Sequence, residues 1–152
     1  MTAPHWQTDG CSTVSAMIFV DEVEQVMAFA QQVFGAEPVT PPLRHQDGSL
    51  WHTALKIGDS TVMLGKRPEG MPVTTAFLHI YVPDVDATFD KAVAAGAKSM
   101  MPVGDQFYGE RAGGVMDAQG NVWWVSTQTE ALPFEEIKRR AAAFERDKGA
   151  AA

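Results

Sequence analysis

Cysteine is almost absent. Cys11 is the single one in 152 residues, so no internal disulfide can staple the chain, and a reducing compartment is the simplest setting. No apolar run approaches the ~20 residues that a membrane-spanning helix needs. Met1 to Gly10 carries neither the basic start nor the apolar core of a signal peptide. The expectation from these lacks is a cytoplasmic protein with no membrane partner. Positive charge is scarce as well: 12 Lys and Arg stand against 19 Asp and Glu, a net charge of −7. An acidic surface repels phosphate backbones, so nucleic acid is not an expected partner. There is no Walker-type loop and no Gly-x-Gly-x-x-Gly run, which leaves nucleotides without a phosphate cradle.

What is present is an ordinary globular balance, 45% apolar and 20% charged, arranged as an internal repeat. Met17-Ile18-Phe19-Val20-Asp21-Glu22-Val23 is matched by His79-Ile80-Tyr81-Val82-Pro83-Asp84-Val85. Each is a short β-branched and aromatic run that ends in an acidic residue able to cap a helix. Val23, Met27, Ala30 and Phe34 then fall on one stripe of a 3.6-residue period, as do Val85, Phe89, Ala92 and Val93. Both stripes stop at Gly-Ala, Gly35-Ala36 and Gly96-Ala97, where glycine ends a helix at little cost.

Further strands are predicted after each stop: His52 to Ile57 and Thr61 to Leu64 around Gly58-Asp59-Ser60, then Gly114 to Met116 and Val122 to Thr127 around Asp117-Ala118-Gln119-Gly120-Asn121. A last helix is predicted from Pro133 to about Asp147, with Ile137, Ala141 and Phe144 as its apolar stripe and Lys138-Arg139-Arg140 as a solvated basic face. The class is α+β: two tandem βαβββ modules forming an open curved sheet with a concave cleft, plus a C-terminal helix. The expected divisions are a flexible segment 1–13, modules 14–66 and 74–128, a linker 67–73, and a helix with a frayed tail over 129–152.

Strand alternation assigns side chains to faces. The aliphatic sets Ala16, Ile18, Val20 and Leu78, Ile80, Val82 belong beneath the helices, with Trp123 and Val125. The other faces then collect Phe77, His79, Tyr81 and Trp124, with His52 on the middle strand of the first half. Aromatic walls with a few polar groups suit a small-molecule pocket. The segment Asp105 to Gly114 reads as a functional loop. It brings Gln106, Phe107, Tyr108, Glu110 and Arg111 together among three glycines, and the Arg111 fork is available either to an anionic ligand or to Asp105 or Asp117. Cys11 has no base beside it and is read as incidental.

The repeat, with Val33-Phe34-Gly35-Ala36-Glu37, His52 to Ser60, His79 to Asp86, Asp105 to Arg111, Gly120 to Trp123 and Glu135 to Ala141, resembles the vicinal oxygen chelate superfamily of glyoxalases, extradiol dioxygenases and bleomycin-resistance proteins. Within it, the chain is similar to the PhnB-like branch. The resemblance implies a divalent ion held by His and Glu on the concave strands. Carried over, the four positions fall near Met17 or Ser15, near Met63, at Phe77 with His79 one pleat further, and at Trp124. These are poor donors, and no predicted strand interior holds an Asp or Glu, so no metal and no other cofactor is expected. The branch's usual Asp-Pro-Phe-Gly-His turn is replaced here by Asp117-Ala118-Gln119-Gly120-Asn121. The leading expectation is a homodimeric protein that binds a small organic molecule through His52, Phe77, His79, Tyr81, Phe107, Tyr108, Arg111 and Trp124. The alternative is a metal-dependent lyase, isomerase or dioxygenase using His52 and His79, with a carboxylate supplied by the partner subunit. A non-catalytic interaction domain is the third class.

Overall fold

The computed structural model describes residues 6–150. The chain divides into two compact units. One holds the chain up to Ala76 with the turn Asp117–Asn121, and the other holds Phe77–Met116 and the chain from Val122 onward. Residues 1–5 of the segment expected to be flexible lie outside the described residues. Within that segment, Cys11 N–H donates to the Thr8 carbonyl, and the Gly10 carbonyl accepts from Thr61 Oγ1.

In the first unit, β1 (Ala16–Val20) leads into α1 (Val23–Phe34), followed by β2 (Glu37–Pro38), β3 (Leu43–Arg44), β4 (Leu50–Ile57) and β5 (Ser60–Lys66). The sheet runs β1-β5-β4-β2, with β3 also on β4 and β1 parallel to β5. The apolar stripe buries Val23, Val26, Met27, Phe29, Ala30 and Val33 of α1 against β4 and β5, over Ile18, Val20, Leu55 and Leu64. Gly35 ends α1 at φ 65°, as the Gly-Ala stop predicts, and its N–H returns to the Gln31 carbonyl. The second helix stops one residue earlier than expected, at Ala94, and Gly96 takes the positive φ. Three strands were expected after α1; the segment instead makes two additional two-residue pairings before the long hairpin.

The second unit repeats the plan: β6 (Phe77–Tyr81), α2 (Val85–Ala94), β7 (Lys98–Asp105), β8 (Glu110–Met116) and β9 (Val122–Gln128), in the order β6-β9-β8-β7 with β6 parallel to β9. Asp84 caps α2 by accepting from the Ala87 N–H. The face under α2 is the core, where Trp123, Val125 and Val115 are fully buried. Each half therefore carries its own sheet, and among the described residues no ladder joins the two.

Two expectations are corrected. Asp105 to Gly114 is not a loop: β7 ends at Asp105, a turn covers 106–109, and β8 begins at Glu110. Three glycines had disguised a strand whose missing side chains are required by its neighbours. Gly114 lies under the Trp124 ring, where a Cβ would stand 3.1 Å from the ring carbons. The last helix, α3 (Phe134–Ala150), runs past the expected end. Its stripe is not core, since Ile137 and Ala141 are half-buried and Phe144 is 48% exposed. Surface ion pairs line the helix: Lys138 to Glu135, Arg139 and Arg140 to Glu136, and Arg140 to Glu130. Residues 151–152 of the expected frayed tail lie outside the described residues.

Candidate functional site

Cross-strand partners share a face, so the register of the second sheet shows what stands on the side away from α2. On the central strand β9, Val122 pairs with Phe77 on one side and Met116 on the other, Trp124 with His79 and Gly114, Ser126 with Tyr81 and Ala112, and Gln128 with Glu110. This face is apolar yet open: Phe77 is 66% and Tyr81 64% exposed. The Phe77 and Trp124 rings stack at 6.1 Å, and the His79 and Tyr81 rings lie at 4.7 Å.

Polar groups converge at one end of that aromatic row. His79 Nε2 is 2.9 Å from Ser126 Oγ, which is fully buried beneath it. Tyr81 donates to Glu110 Oε1 at 2.6 Å. The other carboxylate oxygen, Oε2, is buried without a hydrogen-bond donor and lies 3.7 Å from His79 Nε2. Glu110 acts electrostatically on both tyrosines of the chain. Its hydrogen bond with Tyr81, then burial, then its charge push that phenol above the usual range. Burial, then the Glu110 charge, do the same to Tyr108 in the adjoining turn. Both remain neutral donors well above neutral pH. Phe107 stands edge-on to Tyr108 at 5.2 Å and against Phe144 of α3 at 5.1 Å, so α3 buttresses the turn that carries Tyr108.

Of the eight residues singled out from sequence, Phe77, His79, Tyr81 and Trp124 share this face, with Phe107 and Tyr108 at its β7–β8 end. Arg111 does not join them. It pairs with Asp105 and Thr127 in the register, and its guanidinium is taken up by Asp86 of α2, at 2.8 and 2.9 Å, and by Asp105 at 3.2 Å. Of the two anchors weighed, Asp105 is met, while Asp117 instead accepts from Gln119 and Asn121. His52 belongs to the first unit, on β4 opposite Gly65 and Leu43. Trp51 beside it stacks on His45 at 4.6 Å. Glu110 was named from sequence only as part of the expected loop, and Ser126 only by its strand face. Ser126 was legible by alternation, since it follows Trp124 on the same face. Glu110 was hidden by the expectation of a loop.

The donor set does not fit the divalent ion implied by the fold. Met17, Met63, Phe77 and Trp124 occupy the carried-over positions, and among the described residues no three His, Cys, Asp or Glu gather. The one imidazole and one carboxylate that meet here are already engaged with Ser126 and Tyr81.

Two βαβ units, each closing a parallel first-to-last strand pair and leaving one sheet face open, define the vicinal oxygen chelate architecture. Residues 13–125 match the profile of the Glyoxalase/Bleomycin resistance protein/Dioxygenase superfamily, and the chain belongs to that family. It is 32% identical over 136 residues to an uncharacterized protein of Mycobacterium bovis, covering 82% of this chain and 89% of that one. An uncharacterized protein of Mycobacterium tuberculosis matches at the same identity, with 79% of its length covered. Among solved structures, TioX from Micromonospora sp. ML1 is 26% identical with a TM-score of 0.63, covering 77% of this chain and 98% of that one. A glyoxalase/bleomycin resistance protein/dioxygenase family enzyme from Burkholderia phytofirmans shares the fold at 20% identity and a TM-score of 0.61, covering 75% and 96%.

Proposed function

We propose that the protein binds a small organic molecule on the open face of the second sheet, in the manner of a PhnB-like member of its superfamily and without a catalytic metal. The observation that carries this reading is the exposure of Phe77 and Tyr81 beside Trp124 and His79 on a sheet whose opposite face buries Val115, Trp123 and Val125. Aromatic rings left in water on a rigid backing are a ready surface for a flat or apolar ligand. Ser126, Glu110 and Tyr81 hold the polar end of the row in fixed positions, which supports selective recognition. The same reading takes the active assembly as a cytoplasmic homodimer, because β1 and β6 are edge strands of their sheets and edges are commonly covered by a second copy.

The test is a fragment screen against the full chain in the presence of chelator, read on the Trp124 indole signal by NMR and assigned with Trp124→Phe. Ligands that shift this signal, and lose affinity about tenfold or more in Phe77→Ala, support the reading. Hits that leave Trp124 unmoved, or binding that requires a divalent ion and vanishes in His79→Ala, would overturn it in favour of metal-dependent lyase, isomerase or dioxygenase chemistry.

A further inference from the structure

We infer that the ligand of this face is an organic cation with an aromatic or apolar body, selected by the Glu110 carboxylate. The inference rests on the pocket reading above and adds the charge of the ligand. Two arginine-based arguments for an anion are removed by the geometry. Arg111 is on the α2 side, clamped between Asp86 and Asp105, and Arg139 and Arg140 of α3 are taken up by Glu136 and Glu130. The one lysine that the register assigns to the open face is Lys98, opposite Met116. Glu110 stands at the other end of β8, six residues and roughly 20 Å away.

Glu110 is the one carboxylate on that face among the described residues. Its side chain is only 13% exposed, and the side chains acting on it are Tyr81, His79 and Tyr108 rather than a lysine or arginine. A half-satisfied buried carboxylate is costly, and a nearby cation lowers that cost. The aromatic row supplies the rest of the recognition. The faces of Tyr81, Trp124 and Phe77 attract a cation through their quadrupoles, more strongly as water is excluded. His79 is 42% exposed at its side chain and stands over the free Oε2, so a rotation of the imidazole opens that oxygen to a ligand ammonium group. A ligand with an aromatic body and a protonated or quaternary nitrogen satisfies both features together.

Three probes with one naphthalene body separate charge from shape: (2-naphthylmethyl)trimethylammonium, 2-naphthalenemethanol and 2-naphthalenesulfonate. Each is titrated into the full chain and read at the Trp124 indole signal. The expected result is binding of the ammonium about tenfold tighter than the alcohol, with the sulfonate weakest. Glu110→Gln, close in shape, is expected to bring ammonium and alcohol within about twofold while leaving alcohol binding in place. In the unaltered protein the preference is expected to shrink as salt rises from about 0.02 to 0.5 M, a readout independent of how the variant folds. Equal binding of alcohol and ammonium, a preference for the sulfonate, or a salt-independent preference would overturn the role of Glu110 and leave the pocket standing. If none of the three moves Trp124, the pocket reading fails and the inference fails with it.

Discussion

Glu110 organises the site at the level of single residues. It accepts from Tyr81, faces His79, and helps raise the pH at which the chain's two tyrosines, Tyr81 and Tyr108, ionise. A phenol raised above its unfolded value of about 10 contributes its hydrogen bond fully below that pH, and the contribution is lost as pH climbs through the folded value. An ultraviolet titration of the folded protein is therefore expected to show tyrosinate appearing late, above the ordinary phenol range. In Glu110→Gln both steps are expected to move down, because the negative charge disappears from beside both phenols and Tyr81 is left with, at most, a neutral amide acceptor. An unmoved titration would show that Glu110 does not govern these phenols. Of this constellation, Phe77, His79, Tyr81 and Trp124 were legible in the sequence because period-2 alternation assigns them one face. Glu110 was legible only as part of a loop, and its place on this face was not, because Gly109, Gly113 and Gly114 weigh toward a loop wherever strand pairing is unknown.

At the scale of elements, the turn Asp117–Asn121 is held by one amide. Asn121 is fully buried, its N–H and side-chain amide donate to the Asp117 carboxylate, and its Oδ1 accepts from the Ala76 N–H. That amide donates and accepts at once and pins the backbone just before β6. Asn121→Ala removes the acceptor of the Ala76 N–H and the side-chain donor to Asp117, and is expected to cost about 2 kcal/mol in thermal or denaturant unfolding. A loss under about 0.5 kcal/mol would mean that water replaces the amide without penalty. Helices α1 and α2 were legible to within a residue or two at their ends from apolar period and Gly-Ala stop, and the expected acidic cap forms at Asp84 before α2 but not at Glu22 before α1. The stripe of α3 misled because periodicity reports an amphipathic face, not whether anything covers it.

For the whole molecule, two expectations belong to the assembled protein: its metal content and its oligomeric state. Elemental analysis of the purified full chain, after incubation with Mn, Ni, Zn and Fe(II) and removal of free ions, is expected to find well under one ion per subunit. Light scattering on the same sample is expected to give twice the chain mass. One retained ion per subunit, lost in His79→Ala, would reinstate the metal-dependent reading. A monomer would leave the edges of β1 and β6 to be explained by other means. The amino-acid order by itself determined the repeated strand-helix-strand plan, the helix stops, and the sorting of aliphatic from aromatic strand faces, because these follow from local periodicity and turn chemistry. Only the tertiary structure decided that Glu110 meets His79 and Tyr81, while Arg111, its neighbour in the chain, turns to Asp86 on the other face. Residues 79, 81, 110 and 126 meet through strand register, and register is set by packing across the sheet rather than by any one segment.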